Sequence, residues 1–275
     1  MIIGFIGTGN MGGAILEGFS SSKASEGCKL LVCNLNEDHN EWALERTGGR
    51  CEIVEGNRSL CERSDIVIIG VKPQVIDGVL GEIAEVFGKS KDRILVSMAA
   101  GISIDHISKF VGADSKIVRI MPNTPAMVGE AMTAVCRNGL VDDDEFHQVK
   151  EIFDSIGKAE EIDEKLIDCV IGVSGSSPAY TYMYIEALVK AAACNGMDEE
   201  KARVFAAQAV LGAAKMVLES EESIEQLRIN VCSPGGTTIE AVNKLFDNGF
   251  MEDVYEGFQA AVDKSIAMTK AKEEA

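Results

Sequence analysis

Apolar and polar positions follow two different grammars along this chain. In the first part, short apolar runs alternate with segments whose apolar residues recur every three or four positions. Ile2–Ile6 predicts a first strand, followed by a glycine-rich turn and a helix reaching about Ser20. Lys29–Cys33 predicts a second strand, and residues 36–47 a helix ended by Gly48-Gly49. The run DIVIIGV at 65–71 is nearly all apolar, as expected of a parallel strand buried on both faces. Residues 93–98 and 116–120 repeat that character, with helices expected over 75–87 and 104–110. Ala131–Arg137 and 159–162 read as edge strands separated by a helix over 142–156. Strands alternating with helices in this way predict an α/β domain over residues 1–162 with a doubly wound, mostly parallel Rossmann sheet.

From Glu164 the strand-like runs vanish and alanine-rich helical periodicity takes over. A helix over 178–195 ends at Gly196, where glycine suits a left-handed cap. Another over 198–218 opens with Asp198-Glu199-Glu200, acids that complement the positive end of a helix dipole. It carries Ala202, Phe205, Ala206, Ala209, Ala213, Met216 and Val217 on one stripe, where small residues let helices approach closely. A helix over 238–247 stops at Asn248-Gly249, and a last one starts near Met251. Residues 163–275 are therefore expected to form an all-α domain. It carries more apolar surface than one small domain can bury, which predicts an interleaved or helix-swapped dimer.

Composition narrows the partners. The formal net charge of −18 repels nucleic-acid phosphates and anionic membranes, so neither is an expected partner. An anionic cofactor must then be held by local features such as backbone amides. No apolar run approaches the ~20 residues a membrane-spanning helix needs. Met1-Ile2-Ile3-Gly4-Phe5 lacks the basic region of a signal peptide and reads as the first strand. The eight cysteines form no C-x-x-C pair, which suits reduced thiols in a cytoplasmic protein. His39, His106 and His147 are scattered, and no metal site is expected.

The chemistry starts at Gly7-Thr8-Gly9-Asn10-Met11-Gly12, a G-x-G-x-x-G directly after the first strand and opening a helix. Gly7 permits the tight turn, Gly9 lets a pyrophosphate approach the backbone, and Gly12 lets helix and strand pack closely. This predicts a dinucleotide site and an NAD(P)-dependent oxidoreductase. An NAD site usually places Asp or Glu at the end of strand two, but the chain has Cys33-Asn34-Leu35-Asn36 and its first acid is Glu37. Asn34 and Asn36 can serve either cofactor. The missing carboxylate favours NADP(H) and leaves NAD(H) open.

Three segments end successive strands at the sheet edge where open α/β folds bind ligands: Gly70-Val71-Lys72-Pro73, Ser97-Met98-Ala99-Ala100-Gly101 and Met121-Pro122-Asn123-Thr124-Pro125. Small side chains there let a flat nicotinamide lie against the backbone. A fourth segment, Ser233-Pro234-Gly235-Gly236-Thr237-Thr238, precedes a helix and forms an anion-binding N-terminus, unless Thr237 is an ordinary cap. Ser174-Gly175-Ser176-Ser177-Pro178 poses the same question at another helix start.

At these residues the chain strongly resembles the pyrroline-5-carboxylate reductases, which catalyse the last step of proline biosynthesis. The matching pieces are FIGTGNMG, GVKP, SMAAG, MPNTP, GVSGSSPAY, AAQAVLGAAKMVLES and NVCSPGGTTIEA, in the family's order and over nearly the whole chain. The resemblance implies reduction of the cyclic imine 1-pyrroline-5-carboxylate to L-proline by hydride from NAD(P)H. It also implies a Rossmann domain, a helical dimerisation domain and often assembly of dimers into a decamer. The implied cofactor site comprises Ile6, Gly7, Thr8, Gly9, Asn10, Met11, Gly12, Asn34, Asn57, Gly70, Val71, Lys72, Pro73, Ala99, Ala100 and Asn230. The implied substrate site comprises Gly235, Gly236, Thr237 and Thr238, with Glu164 and Ser177 nearby; Thr238 is the implied catalytic residue, its hydroxyl on the ring nitrogen. Many members carry glycine in place of Ser177 and a smaller residue in place of Thr237, so altered contacts and retained chemistry are expected.

Two rival functions fit the first domain. A β-hydroxyacid dehydrogenase would use a helical lysine such as Lys190, which here lacks the expected neighbouring asparagine. A non-enzymatic NADP(H)-binding redox sensor would need no substrate loop. Neither predicts SPGGTT.

Overall fold

Every strand expected in the N-terminal half forms in the computed structural model, which describes residues 1–273. The order is β1 (Ile2–Ile6), α1 (Asn10–Ser21), β2 (Lys29–Cys33), α2 (Glu37–Arg46), β3 (Cys51–Ile53), α3 (Asn57–Arg63), β4 (Ile66–Ile69) and α4 (Ile76–Lys89). There follow β5 (Ile94–Ser97), α5 (Ile104–Val111), β6 (Lys116–Met121), β7 (Ala131–Arg137), α6 (Asp143–Asp154), β8 (Gly157–Glu161) and α7 (Ile167–Val170). The eight strands lie in the order β3-β2-β1-β4-β5-β6-β7-β8, parallel except where β6 meets β7. All four residues of β4 are buried, as its apolar run requires.

Two details differ from expectation. Ala131–Arg137 is an inner strand, flanked by β6 and β8; the short turn Thr124–Val128 reverses the chain, so it pairs antiparallel with β6. β3 and α3 have no counterpart in the expected pattern, because a three-residue strand with Glu52 at its centre is too short to show a period.

Alternation along the strands divides the core in two. Ile3, Phe5, Ile15, Leu16, Phe19, Phe146 and Phe153 pack on one face of the sheet, beneath α1 and α6. Leu31, Val67, Ile69, Leu80, Ile83 and Ile107 pack on the other, beneath α4 and α5. Cys33, Cys61 and Cys136 are buried there and Cys51 on the first face, and burial pushes the Cys61 and Cys136 thiols up to about 12.

The change of grammar at Glu164 precedes the change in packing. The first compact unit is Met1–Gly175 together with the chain from Ala261 onward, and the second is Ser176–Ala260. Residues 163–175 stay with the sheet because Ile167 is buried in its core and the Ser174 carbonyl accepts from Asn123 Nδ2 at 3.0 Å. The second unit contains α8 (Ser177–Cys194), α9 (Glu199–Glu219), α10 (Ile224–Asn230) and α11 (Thr237–Asp247). α12 (Phe250–Glu273) begins there and ends in the first unit's range. Among residues 176–260 only Ala202 and Ala206 are buried. Among the described residues no helix is long and apolar enough to cross a membrane.

Candidate functional site

The turn between β1 and α1 is built around one carbonyl oxygen. Gly7 has φ +84°, a conformation that disfavours any side chain. A Cβ on Gly12 would lie 2.4 Å from the Gly7 oxygen, and a Cβ on Gly70 would lie equally close to it. Glycine at these positions lets α1, β1 and the loop after β4 converge. Gly9 differs: a Cβ there would meet nothing within 4 Å. It is also the N-cap of α1 and offers no side chain to the helix's first amides. A cradle open at Gly9 and lined by unused amides fits a pyrophosphate. Ile6 is in the core and Met11 packs against it, so neither offers a polar side chain to a ligand.

Asn34 has a structural task at this turn. Its Oδ1 accepts the Thr8 N–H at 2.7 Å, and its Nδ2 donates to Thr8 Oγ1 at 2.8 Å and to Asn40 Oδ1 at 3.0 Å. It braces the glycine loop against the end of β2. Asn36 caps α2 by accepting the Asp38 N–H at 2.9 Å. Beside the loop runs a cleft of about 340 Å³, lined by Thr8, Gly9, His39, Trp42 and Arg46 among others. The Arg46 guanidinium is paired with Glu17 at 3.1 Å and lies over the Trp42 ring.

The next loops sit along the same edge. The Gly70 N–H donates to the Ile6 carbonyl at 2.8 Å and the Met98 N–H to the Ile69 carbonyl at 3.3 Å. Ala99 is buried, Ala100 half-buried, and Lys72 exposed with no ion pair among the described residues. Asn57 opens α3 and donates to Glu82 on α4 at 2.7 Å. Asn123 pins the loop after β6 through the Ser174 carbonyl and by accepting the Met132 N–H. Sequence reading quoted that segment but gave Asn123 no role; its burial, invisible in a proline-rich loop, is what marks it.

Glu164 Oε1 accepts from Arg119 Nη1 at 2.9 Å and from the Ile104 N–H at 2.8 Å. Its carboxylate therefore balances a buried arginine of β6 and caps the start of α5. Arg119 also escaped the sequence reading, since a charged residue inside the run 116–120 gives no sign of its partner.

In the second unit, the Ser233 carbonyl accepts the Gly236 N–H at 2.9 Å, with Pro234 and Gly235 between them and Gly235 at φ +68°. Proline followed by a positive-φ glycine is the signature of a type II turn. It delivers the chain to α11 with Gly236 as N-cap and no side-chain cap at all. Thr237 therefore is not a cap. Thr237 and Thr238 occupy the first helical turn, exposed, and its leading amides have no acceptor within the helix. Ser177 opens α8, half-buried, and its carbonyl accepts from the Thr181 hydroxyl. Asn230 donates to Glu222 at 2.7 Å and accepts from Gln226 at 2.8 Å. Lys190 is exposed and hydrogen-bonded to Glu186 at 2.6 Å, which raises its pKa and keeps it protonated.

Residues 164–268 match a family model described as pyrroline-5-carboxylate reductase dimerisation, and residues 2–101 one described as NADP oxidoreductase coenzyme F420-dependent. The chain is 43% identical to the pyrroline-5-carboxylate reductase of Escherichia coli over 98% of each chain. A pyrroline-5-carboxylate reductase structure from Coxiella burnetii superposes with a TM-score of 0.89 at 34% identity, covering 97% of this chain and 98% of that one. The Plasmodium falciparum pyrroline carboxylate reductase with NADP bound superposes with a TM-score of 0.85 at 32% identity, covering 98% of both.

Proposed function

The chain belongs to the pyrroline-5-carboxylate reductase family, and we propose that its first unit holds NADPH and the turn before α11 holds the substrate. The enzyme is an oxidoreductase that reduces 1-pyrroline-5-carboxylate to L-proline in the final step of proline biosynthesis.

A bound NADPH supplies a hydride from nicotinamide C4 to the imine carbon. Gly7, Thr8, Gly9, Asn10 and Gly12 give its pyrophosphate a close backbone approach at the start of α1. Gly70, Val71, Lys72, Pro73, Ala99 and Ala100 offer a floor of backbone and small side chains, with the Lys72 ammonium free for phosphate. Asn34 and Asn57 act as braces of that site, and the family resemblance assigns Asn230 to the same cofactor. The absence of a carboxylate at Asn34 and Asn36 favours NADPH, and the absence of a free arginine leaves NADH usable.

The amides of Thr237 and Thr238 bind the substrate carboxylate, while the Gly236 N–H, held by the Ser233 carbonyl, shapes the turn that presents them. The ring nitrogen, entering with its proton, donates to Thr238 Oγ1. Residues 233–238 contain no acid or base, so their contribution is orientation, worth several kcal/mol in favourable cases. Ser177 lies beside the substrate, and Glu164 acts through Arg119 and α5. The single observation that carries this reading is a helix start with two threonines and no side-chain cap.

Purified protein with the cyclic imine and NADPH, followed at the nicotinamide absorbance, tests it. Turnover is expected with the imine and not with 3-hydroxy acids. NADPH binding without turnover would leave a redox sensor, and turnover of hydroxy acids a dehydrogenase. The all-helical unit self-associates as a dimer, and we further propose that dimers assemble into a decamer and that the protein is cytoplasmic, with all eight cysteines as thiols. Light scattering reads the assembly directly.

A further inference from the structure

The loop from Met98 to Ser103 is contacted by the far end of the chain. Gly101 has φ +73°, and a Cβ placed on it would lie 3.4 Å from Met268 Cβ, 3.5 Å from the Met268 carbonyl carbon and 3.6 Å from the Thr269 nitrogen. The backbone of α12 thus passes so near this loop that a single methyl group added at Gly101 would touch it. Two polar links fix that stretch of helix. The Ser265 hydroxyl, buried, donates to Asp168 Oδ1 on α7. Lys272 Nζ donates to Asp77 Oδ2 at 3.0 Å. Ser265, Met268 and Lys272 are spaced three and four apart, so one helix face makes all three contacts.

Asp77 does more than receive the lysine. Its other oxygen, Oδ1, lies 2.8 Å from His106 Nε2, a side chain only 12% exposed. The His106 hydrogen bond, with the Lys272 ammonium adding to it, holds the Asp77 carboxyl below its ordinary value. Asp77 stands in the first turn of α4, the helix that Gly70-Val71-Lys72-Pro73 leads into. His106 stands in the first turn of α5, the helix that Ala99-Ala100-Gly101 leads into. One carboxylate therefore ties together the helices that follow two of the cofactor loops, and the C-terminal end of α12 closes the tie.

We propose that Ser265, Met268 and Lys272 form a positioning strap that sets the spacing of the Gly70–Pro73 and Ala99–Gly101 loops around the nicotinamide end of NADPH. The strap touches neither cofactor nor substrate: Ser265 anchors the helix to Asp168 of α7, and Met268 and Lys272 act on the loops through Gly101 and Asp77. The proposal rests on the reading that those loops hold the cofactor. Loosening the strap leaves the sheet, the glycine cradle and the substrate turn intact, so its effect falls on cofactor affinity and hydride transfer.

The test uses the full-length enzyme carrying Ser265→Ala with Lys272→Gln, and Lys272→Gln alone in case the double variant folds poorly. NADPH fluorescence titration is expected to give a Kd raised about fivefold in the double variant, with hydride transfer in a single turnover slowed to a similar degree, since small misplacements are costly. The KM for the imine should stay within twofold, Lys272→Arg should restore most of the affinity, and Lys270→Gln, an exposed neighbour, should match the parent. A double or single variant with unchanged Kd and unchanged hydride transfer overturns the strap, whatever its melting temperature. Ala100→Val, placed in the loop itself, separates the two readings. If it weakens NADPH binding while the strap variants do not, only the strap fails; if it leaves binding unchanged, the cofactor site was misplaced and the strap falls with it.

Discussion

The two units treat apolar side chains in opposite ways. In the first, Phe5, Phe19, Phe87 and Phe153 are all but inaccessible, and the sheet is covered on both faces. In the second, Phe205 is 68% exposed, Leu218 67% and Tyr255 67%, while only two alanines are buried. Covering one such large side chain is worth about 1.5–3 kcal/mol. The first unit collects that stabilisation within one chain. The second must collect it from another copy, which is why its helices are apolar on sides that the chain alone leaves uncovered.

The sharpest way to break this contrast is to charge the uncovered surface of α9. Phe205→Asp with Leu211→Asp is expected to dissociate the assembly and to lower activity at least a hundredfold, because an unpaired charge cannot be buried in an apolar interface. Light scattering and the imine assay check both consequences. An equivalent pair of acids on the exposed face of α2, a helix of the self-sufficient unit, should change neither. A fully active monomer would defeat the comparison.

Thr238 asks whether the second unit also supplies chemistry. Were it merely part of a helix start, Thr238→Ala would shift stability alone. Gly236 is the cap and no threonine side chain bonds an amide, so stability should barely move. Loss of a hydrogen bond to the ring nitrogen costs roughly tenfold in rate for each 1.4 kcal/mol. Thr238→Ala is therefore expected to stay folded, bind NADPH normally and lose about tenfold or more in kcat/KM for the imine. Thr238→Ser should recover most of it. Unchanged kinetics in the alanine variant would remove the residue from the reaction.

Asn34 puts the matching question to the first unit. Asn34→Asp keeps an acceptor for the Thr8 N–H but loses both donors, to Thr8 Oγ1 and Asn40 Oδ1. It also brings a carboxylate to where a 2′-phosphate is expected. The parent should use NADPH at least as well as NADH, and the variant should shift several-fold towards NADH, about 1 kcal/mol of charge repulsion and lost bracing. The KM for the imine should not follow. A parent that strongly prefers NADH in measured kcat/KM would reverse the cofactor assignment.

What the sequence made legible follows the same division. DIVIIGV and the glycine loop announce themselves because a strand buried on both faces and a turn around one carbonyl tolerate few residue types. Gly70 was legible as a loop but not as the glycine that lets β4 approach the Gly7 oxygen, since that contact joins neighbouring strands far apart in sequence. The double role of Asn34 and the pairing of Glu164 with Arg119 were hidden for the same reason: a polar side chain shows what it can bond, not what it meets. α10 was missed because Glu225, Gln226 and Arg228 leave too few apolar positions in a seven-residue helix to show a period. The grammar turned helical at Glu164, yet the chain stays with the sheet to Gly175. Periodicity reports local geometry, and only burial of Ile167 decides to which core a helix belongs.

The smallest effect lies in the best-packed part of the molecule. Thr133 sits at the centre of β7, opposite Ala159 of β8, fully buried. Its hydroxyl is a buried polar atom without a hydrogen-bond partner. Strand alternation places it on the same face as Ala131 and Val135, which belong to the core cluster with Phe146 and Phe153. A hydroxyl left unpaired in such a place costs about 1–3 kcal/mol, whereas valine has nearly the same shape and suits a strand. The gain from removing the hydroxyl is reduced by whatever the core must shift to admit a methyl group in its place. Thr133→Val is thus expected to stabilise the first unit by about 1 kcal/mol, raising the denaturant midpoint without altering its slope. The assembly and the constants for imine and NADPH should remain those of the parent, because β7 lies outside both proposed sites. A midpoint that falls would mean that the hydroxyl has a partner, such as a buried water, and that even this core keeps a polar contact.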